Sequence, residues 1–184
     1  LVEYAPATLE SFLRPFDDFA YGIINTEMPL MVTATRFDPS RAPEGKHTLY
    51  LYHYEPYRLK DGGARKWGEI KQSVADKVLE VAFKQTTNLG PANVLGRWTI
   101  SPLDLERFFP SMLEGDISHI GQFVNRLFAY RPLPGLGQYR TPIKRLYMCG
   151  NSTHPGFGVA GGGRATVQVI MEDLGIDFNK IIKR

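Results

Sequence analysis

Asn151 and His154, an amide and an imidazole, stand in a run of glycines formed by Gly150, Gly156, Gly158, Gly161, Gly162 and Gly163. Glycine lets another molecule approach the main chain closely, so such a turn can offer backbone N–H groups to a ligand. The elements that must position the turn are legible on either side. Leu146, Tyr147, Met148 and Cys149 form a continuous apolar run, the pattern of a strand buried on both faces of a mainly parallel sheet. Beyond the turn, Ala165, Val167, Ile170, Met171 and Leu174 make one helical face, with Gly175 placed to end it. The helix should start between Val159 and Gly163, where its unpaired N–H groups and the positive end of its dipole favour negative charge. A loop of this build holds an anionic or electron-rich ligand; the plainer alternative is a tight, glycine-rich helix start with no ligand.

Residues 156–161 also satisfy G-x-G-x-x-G, the fingerprint of a dinucleotide fold, but its context is missing. The turn should come directly after its strand, and here residues 151–155 intervene. A second strand carrying an acidic residue should come about twenty residues later. Between Gly175 and Arg184 the apolar residues are Ile176, Phe178, Ile181 and Ile182, too few for that strand and its surroundings. The standard fingerprint is rejected.

Upstream, Leu9, Phe12, Leu13, Phe16 and Phe19 make an apolar helical face despite Pro15, suited to meeting another part of a larger protein. Residues 28–37 and 47–55 read as a hairpin joined by a proline- and glycine-containing loop. Period two in the second strand sets Tyr50, Tyr52 and Tyr54 on one face and His47, Leu49, Leu51, His53 and Glu55 on the other. The tyrosines suit a cavity wall or ordinary sheet packing. His47 and His53 would be about 20 Å apart, too far to share a metal, so no metal site is expected. Residues 71–87 give the clearest helix, with Val74, Val78, Val81, Ala82 and Gln85 near one side, and it should cover a sheet. Residues 97–100 suggest a strand, and Ser101-Pro102 a capped helix start. Asp104 and Glu106 are then charges of a helix N-terminus, with no catalytic carboxylate pair. Residues 123–130 read as an apolar helix after a small-residue turn holding His119, which is assigned a structural hydrogen-bonding role.

The chain has 184 residues, 43% hydrophobic and 22% charged, with a net charge of +3. It can bury a core. Acidic and basic residues alternate without a basic tract, so nucleic-acid binding has no support. The one cysteine, Cys149, excludes an internal disulfide and is placed inside a strand in a structural role, consistent with a reducing, cytoplasmic setting. No run of eighteen apolar residues exists, so a spanning helix is not expected, while peripheral membrane contact stays compatible with the sequence.

Arg131-Pro132, residues 139–143 (YRTPI), 146–150 (LYMCG), 153–156 (THPG) and Gly158-Val159, preceded by residues 38–40 (DPS), Ala42-Pro43, 45–47 (GKH) and 102–106 (PLDLE), occur in an order that resembles the C-terminal end of phytoene desaturase-like flavoproteins, within the FAD-dependent oxidoreductases that include amine oxidases and carotenoid desaturases. The likeness runs over roughly residues 28–174 and implies an α/β or α+β chain. It implies an incomplete FAD/NAD(P)-binding-type fold with a mixed substrate-domain sheet and covering helices in residues 1–140, and the C-terminal strand and helix of the FAD domain in residues 141–184. In such proteins the ADP-binding half lies nearer the N-terminus of a longer chain, so this half is the implied partner, with an apolar small molecule as substrate and homodimerisation possible.

The resemblance further implies that the turn wraps the flavin. Gly150, Gly158, Val159 and Ala160 would contribute backbone contacts and Asn151 a side-chain hydrogen bond to ribityl or phosphate oxygens. His154, Pro155 and Gly156 would shape the turn near the ring, with His154 the candidate for proton transfer. Phe157 and the triplet Gly161-Gly-Gly163 depart from the family pattern. Two functions are carried forward: an FAD-dependent oxidoreductase acting by hydride transfer, inactive as this chain alone, and a non-catalytic interaction or scaffold protein on a truncated flavoprotein fold.

Overall fold

The computed structural model describes residues 2–3, 5–156 and 161–182. Two compact units divide the chain, Leu1–Phe108 and Phe109–Arg184.

In the first unit three short strands, β1 (Val2–Glu3), β2 (Leu30–Val32) and β3 (Tyr50–Tyr52), pair antiparallel in that order. The expected hairpin is β2 and β3, with Leu30 opposite Tyr52, Met31 opposite Leu51 and Val32 opposite Tyr50. The pairing is shorter than the apolar pattern because the connecting loop spends its residues on two 3₁₀ turns, Ala34–Arg36 and Pro39–Arg41. β1 adds an edge strand, Val2 opposite Met31, too short for a sequence pattern to show. The tyrosines form a ladder on β3 and its continuation, with ring centroids 6.2 Å apart for Tyr50 and Tyr52 and 5.1 Å for Tyr52 and Tyr54.

Helix α1 (Leu9–Ala20) starts at Thr8, whose Oγ1 accepts from the Ser11 N–H at 3.2 Å. Pro15 lies inside it and forfeits one backbone bond. Its Leu9, Phe12, Leu13, Phe16 and Phe19 are all exposed, Phe16 by 58%. After the helix, Gly22 adopts φ +71°, and a Cβ there would stand 2.6 Å from the Arg58 carbonyl oxygen. The chain can pass this close only as glycine, and the Lys60 N–H then donates to the Gly22 carbonyl at 2.8 Å.

Helix α2 (Trp67–Lys84) buries Trp67, Val74, Val78 and Ala82, a spacing of seven, four and four that keeps one face inward. Trp67 and Val74 pack with Leu59 and Leu103 as the core, flanked by Ile24, Tyr57, Ala64 and Ile70. The expectation that this helix covers a sheet is corrected: the core is made with the segment before α2 and with helix α3 (Pro102–Phe108). The reason is that a sheet of two- and three-residue strands offers too little apolar face. Trp67, 2% exposed, gives its indole N–H to the Pro56 carbonyl at 3.0 Å, so the polar tip of the largest core residue is satisfied.

The Ser101 cap forms as expected. The Asp104 N–H donates to Ser101 Oγ at 3.2 Å and the Ser101 N–H to Asp104 Oδ2 at 3.0 Å, a reciprocal box, and Lys71 Nζ adds a contact at 2.9 Å. Burial raises the Asp104 carboxyl, but the Ser101 backbone N–H, the Lys71 ammonium and the Ser101 hydroxyl lower it further, and it titrates below its ordinary value. Residues 97–100 are not a strand: no ladder partner exists among the described residues, Trp98 is exposed, and the segment is tied to α2 by Arg97 on Asp76 and Thr99 on Gln72.

The second unit carries α4 (Gly161–Asp173) and α5 (Phe178–Ile182), with loops and 3₁₀ turns before them. Gly175 ends α4 as expected: it takes φ +71°, donates to Glu172, and Ile176 donates to Met171 at 2.8 Å, the paired closure of a Schellman motif. Residues 123–130 are two 3₁₀ turns, Val124–Arg126 and Phe128–Tyr130, broken by extended Leu127, not a helix. Phe123, Val124 and Phe128 are exposed, so no apolar surface rewards a helix there. The second correction concerns residues 146–149. They form no buried parallel strand: Leu146 and Cys149 are exposed, and the pairing is one antiparallel bridge, Arg140 with Tyr147. The described residues supply no neighbouring strand, so Leu146 and Cys149 stay exposed while Tyr147 and Met148 are half-buried.

Candidate functional site

The glycine turn is held from behind by a charge. Arg131 is 0% exposed, and its guanidinium donates to the Asn151 carbonyl from Nε (3.1 Å) and Nη2 (2.6 Å), to the Ser118 carbonyl from Nη2 (2.9 Å) and to the Arg126 carbonyl from Nη1 (3.4 Å). Asn151 closes the same frame from its side chain, its amide donating to the Ile117 carbonyl at 2.8 Å. One arginine thus gathers three separate loop segments by their carbonyls, which a buried loop could not otherwise leave unpaired. Burial pushes the Arg131 guanidinium below its ordinary value, and the Asp116 charge works against that; it stays a cation.

Within the turn, Thr153 is buried and donates from Oγ1 to the Gly150 carbonyl at 2.8 Å, while its N–H reaches the same oxygen at 3.0 Å. Tyr139 donates its hydroxyl to the His154 carbonyl at 2.8 Å; burial, then the nearby Cys149, raise its hydroxyl above the ordinary value. The His154 ring is half-buried, 5.4 Å from the Phe128 ring, and among the described residues its nitrogens have no hydrogen-bond partner. Gly156 is buried at φ +93°, where a Cβ would meet Gln122 Nε2 at 3.2 Å and Arg131 Nε at 3.3 Å.

Helix α4 is docked on this turn at both ends. Near its start Thr166, buried, donates to the Met148 carbonyl at 3.1 Å, and Gly162 lies beside Gly150, 3.5 Å from a built Cβ to the Gly150 carbonyl oxygen. At its end Asp173 accepts from Arg140 Nε, shared at 3.1 and 3.0 Å between its two oxygens, from Arg140 Nη2 at 2.7 Å and from the Tyr147 hydroxyl at 2.8 Å, with Glu172 on Arg140 Nη2 at 3.1 Å. The Arg140 hydrogen bonds, then that of Tyr147, lower the Asp173 carboxyl.

Of the residues singled out from sequence, Gly150, Asn151, His154, Pro155 and Gly156 come together with Gly161, Gly162 and Gly163, while Gly158, Val159 and Ala160 lie outside the described residues. The Asn151 amide faces the supporting loop. Cys149, assigned to a strand interior, is exposed. His119 sits at φ +63° and its N–H donates to Asp116 at 3.1 Å. Sequence reasoning missed Arg131, Thr153, Tyr139 and Thr166 as the polar frame, although each stands in or beside a quoted motif. Among the described residues no group of three His, Cys, Asp or Glu could hold a metal, and no helix is long and apolar enough to cross a membrane.

No family model matches the chain, and no solved structure matches it. Curated relatives do. It is 35% identical over 166 residues to a rat (Rattus norvegicus) pyridine nucleotide-disulfide oxidoreductase domain-containing protein 2, covering 88% of this chain and 28% of that protein. It is 24% identical to a limonene dehydrogenase subunit of Castellaniella defragrans, covering 92% and 31%, and 25% identical to a phytoene desaturase of Fusarium fujikuroi, covering 94% and 33%. The chain spans about three tenths of the length of the relatives it matches. These likenesses agree with the motif order around the turn, and the chain is a C-terminal portion of the phytoene desaturase-like group of flavoprotein oxidoreductases.

Proposed function

We propose that this chain supplies the C-terminal flavin wall and part of the substrate domain of an FAD-dependent oxidoreductase that takes hydride from an apolar, isoprenoid-like substrate. The observation that supports the reading best is the open glycine surface on a rigid back. Among the described residues, Gly150, at φ +116°, and Gly163 have no atom within 4 Å of where a Cβ would stand, while Arg131, Thr153 and Thr166 fix the main chain behind them. Open backbone at these two positions supports close approach of a planar ligand, and a flavin would suit it. When bound, the flavin supplies a hydride acceptor that gains negative charge on its pyrimidine edge.

On this reading the chain's own groups act as a wall and a set of donors. The N-terminal N–H groups of α4 face developing negative charge without reorganising. Gly150 and Gly163 permit close approach of the ring or its ribityl chain. His154 is the candidate for proton transfer at the turn. Residues 1–140 belong to the substrate-domain portion and 141–184 to the end of the FAD domain. Two relatives are named for limonene and phytoene, both hydrocarbons, which supports an apolar substrate. The exposed face of α1 and the exposed Leu146 and Cys149 would meet the rest of the protein, and the chain alone would be inactive.

The test is FAD binding by calorimetry and flavin absorbance, on this chain alone and on the complete protein. Binding to the complete protein, abolished by Gly163→Leu in a folded variant, is expected. A folded complete protein that binds no FAD refutes the flavoenzyme reading and leaves the scaffold one.

A further inference from the structure

The peptide unit between Asn151 and Ser152 is oriented by an unusual constraint. Its carbonyl takes two guanidinium N–H groups, at 3.1 and 2.6 Å, from an arginine that is 0% exposed. Among the described residues no carboxylate lies within ion-pair distance of that arginine, and Asp116 is the acidic group whose charge reaches it. A planar trans peptide points its N–H opposite to its C=O, and this bond is trans. With the carbonyl fixed on Arg131, the Ser152 N–H must therefore point away from the guanidinium. Among the described residues that N–H has no acceptor, although its neighbour Thr153 donates to Gly150 at 3.0 Å. A carbonyl bound to a cation also polarises its own peptide, which strengthens the opposite donor.

We infer that Arg131 is a positioning residue that aims the Ser152 N–H at an oxyanion or carbonyl oxygen of the bound flavin nucleotide, acting through the Asn151–Ser152 peptide and not by touching the ligand. The inference rests on the flavin reading above and deepens it by naming a donor and what orients it. Lysine at 131 keeps the charge but cannot make the bidentate contact; methionine removes both.

The experiment is FAD titration of the complete protein as wild type, Arg131→Lys and Arg131→Met, with the Ser152 amide followed by NMR and folding checked by near-UV circular dichroism. In the wild type the Ser152 amide resonance should shift on FAD binding and exchange more slowly. Folded Arg131→Met should bind FAD about tenfold more weakly, about 1.4 kcal/mol, without the Ser152 shift, and Arg131→Lys should recover part of both. A structural role alone would not couple the Ser152 amide to the ligand. Wild type that binds FAD with an unmoved Ser152 amide overturns the inference and leaves the flavin reading intact, as does a folded Arg131→Met that binds within twofold of wild type. If Arg131→Met does not fold, the wild-type Ser152 shift and its reduction in Arg131→Lys decide. A wild type that binds no FAD overturns both.

Discussion

Gly156→Ala tests whether the turn is held by Arg131. Gly156 has φ +93°, and the left-handed region costs an L-residue roughly 1–2 kcal/mol. The new methyl would also stand 3.2 Å from Gln122 Nε2 and 3.3 Å from Arg131 Nε. Gln122 is exposed at the end of a flexible side chain and can move aside at little cost. Arg131 cannot, because shifting its Nε lengthens the 3.1 Å bond to Asn151, and a charge-assisted bond is worth about 1.5–3 kcal/mol. Partial loss of that bond added to the backbone strain gives about 2–4 kcal/mol. Gly163→Ala is the internal control: it lies in α4 with nothing within 4 Å among the described residues and no positive φ, so alanine should stabilise by roughly 0.5–1 kcal/mol. Urea unfolding of both variants, read at constant slope, measures the contrast. A Gly156→Ala loss below about 1 kcal/mol, or equal effects at the two glycines, would refute the account of the turn.

Trp67→Ala should cost about 3–5 kcal/mol in denaturant unfolding, since it empties the centre of the first unit's core and orphans the Pro56 carbonyl; a loss under about 1.5 kcal/mol would mean that the core lies elsewhere. Ser101→Ala should cost about 1 kcal/mol and weaken the hold on Asp104. Because the Asp104 carboxyl is lowered, its contribution is present above the ordinary value of 3.8 and is lost as pH falls through the lower folded value. A pH-unfolding series on Asp104→Asn should accordingly lack that acid-side loss. Burial raises the Glu55 carboxyl, with His53, 3.3 Å away, acting against it. A raised carboxyl takes up protons on folding, so its share of stability falls as pH climbs from 4.5 through the folded value. Glu55→Gln should flatten that slope, and an unchanged slope would place the titration elsewhere.

How far the sequence reached depended on the range of the interaction. The α2 face, the Ser101 box and the Gly175 stop are each decided within a few residues and were legible from spacing or cap chemistry, and the β2 and β3 hairpin was legible from its strand patterns and the turn residues between them. Residues 146–149 and 123–130 were misread because apolar composition was taken as burial, which requires a partner surface that the described chain does not provide. The turn itself was located by its glycines, but not its support. Arg131 reads locally as an exposed cation before a proline, and nothing in its neighbourhood announces that it will meet the Asn151 carbonyl twenty residues later.

The character of the second unit comes from that support. Among its described residues the buried side chains are Ser118, Arg131, Tyr139, Thr153 and Thr166, while Phe123, Val124, Phe128, Ile143 and Leu146 are exposed. Apolar burial is non-directional and would leave the peptide planes of a glycine turn free to rotate, whereas hydrogen bonds lose strength steeply with misalignment. A polar interior therefore suits a segment that, on the flavin reading, aims N–H groups. The same choice has a cost: hydrogen bonds give a modest net return once water is exchanged, so this unit has little apolar stability of its own. Covering its exposed side chains by the rest of the oxidoreductase is then what would hold it together, and hydrogen exchange at the Thr153 and Thr166 amides should slow when the complete protein replaces the chain. Equal exchange in both would show that the polar frame alone suffices.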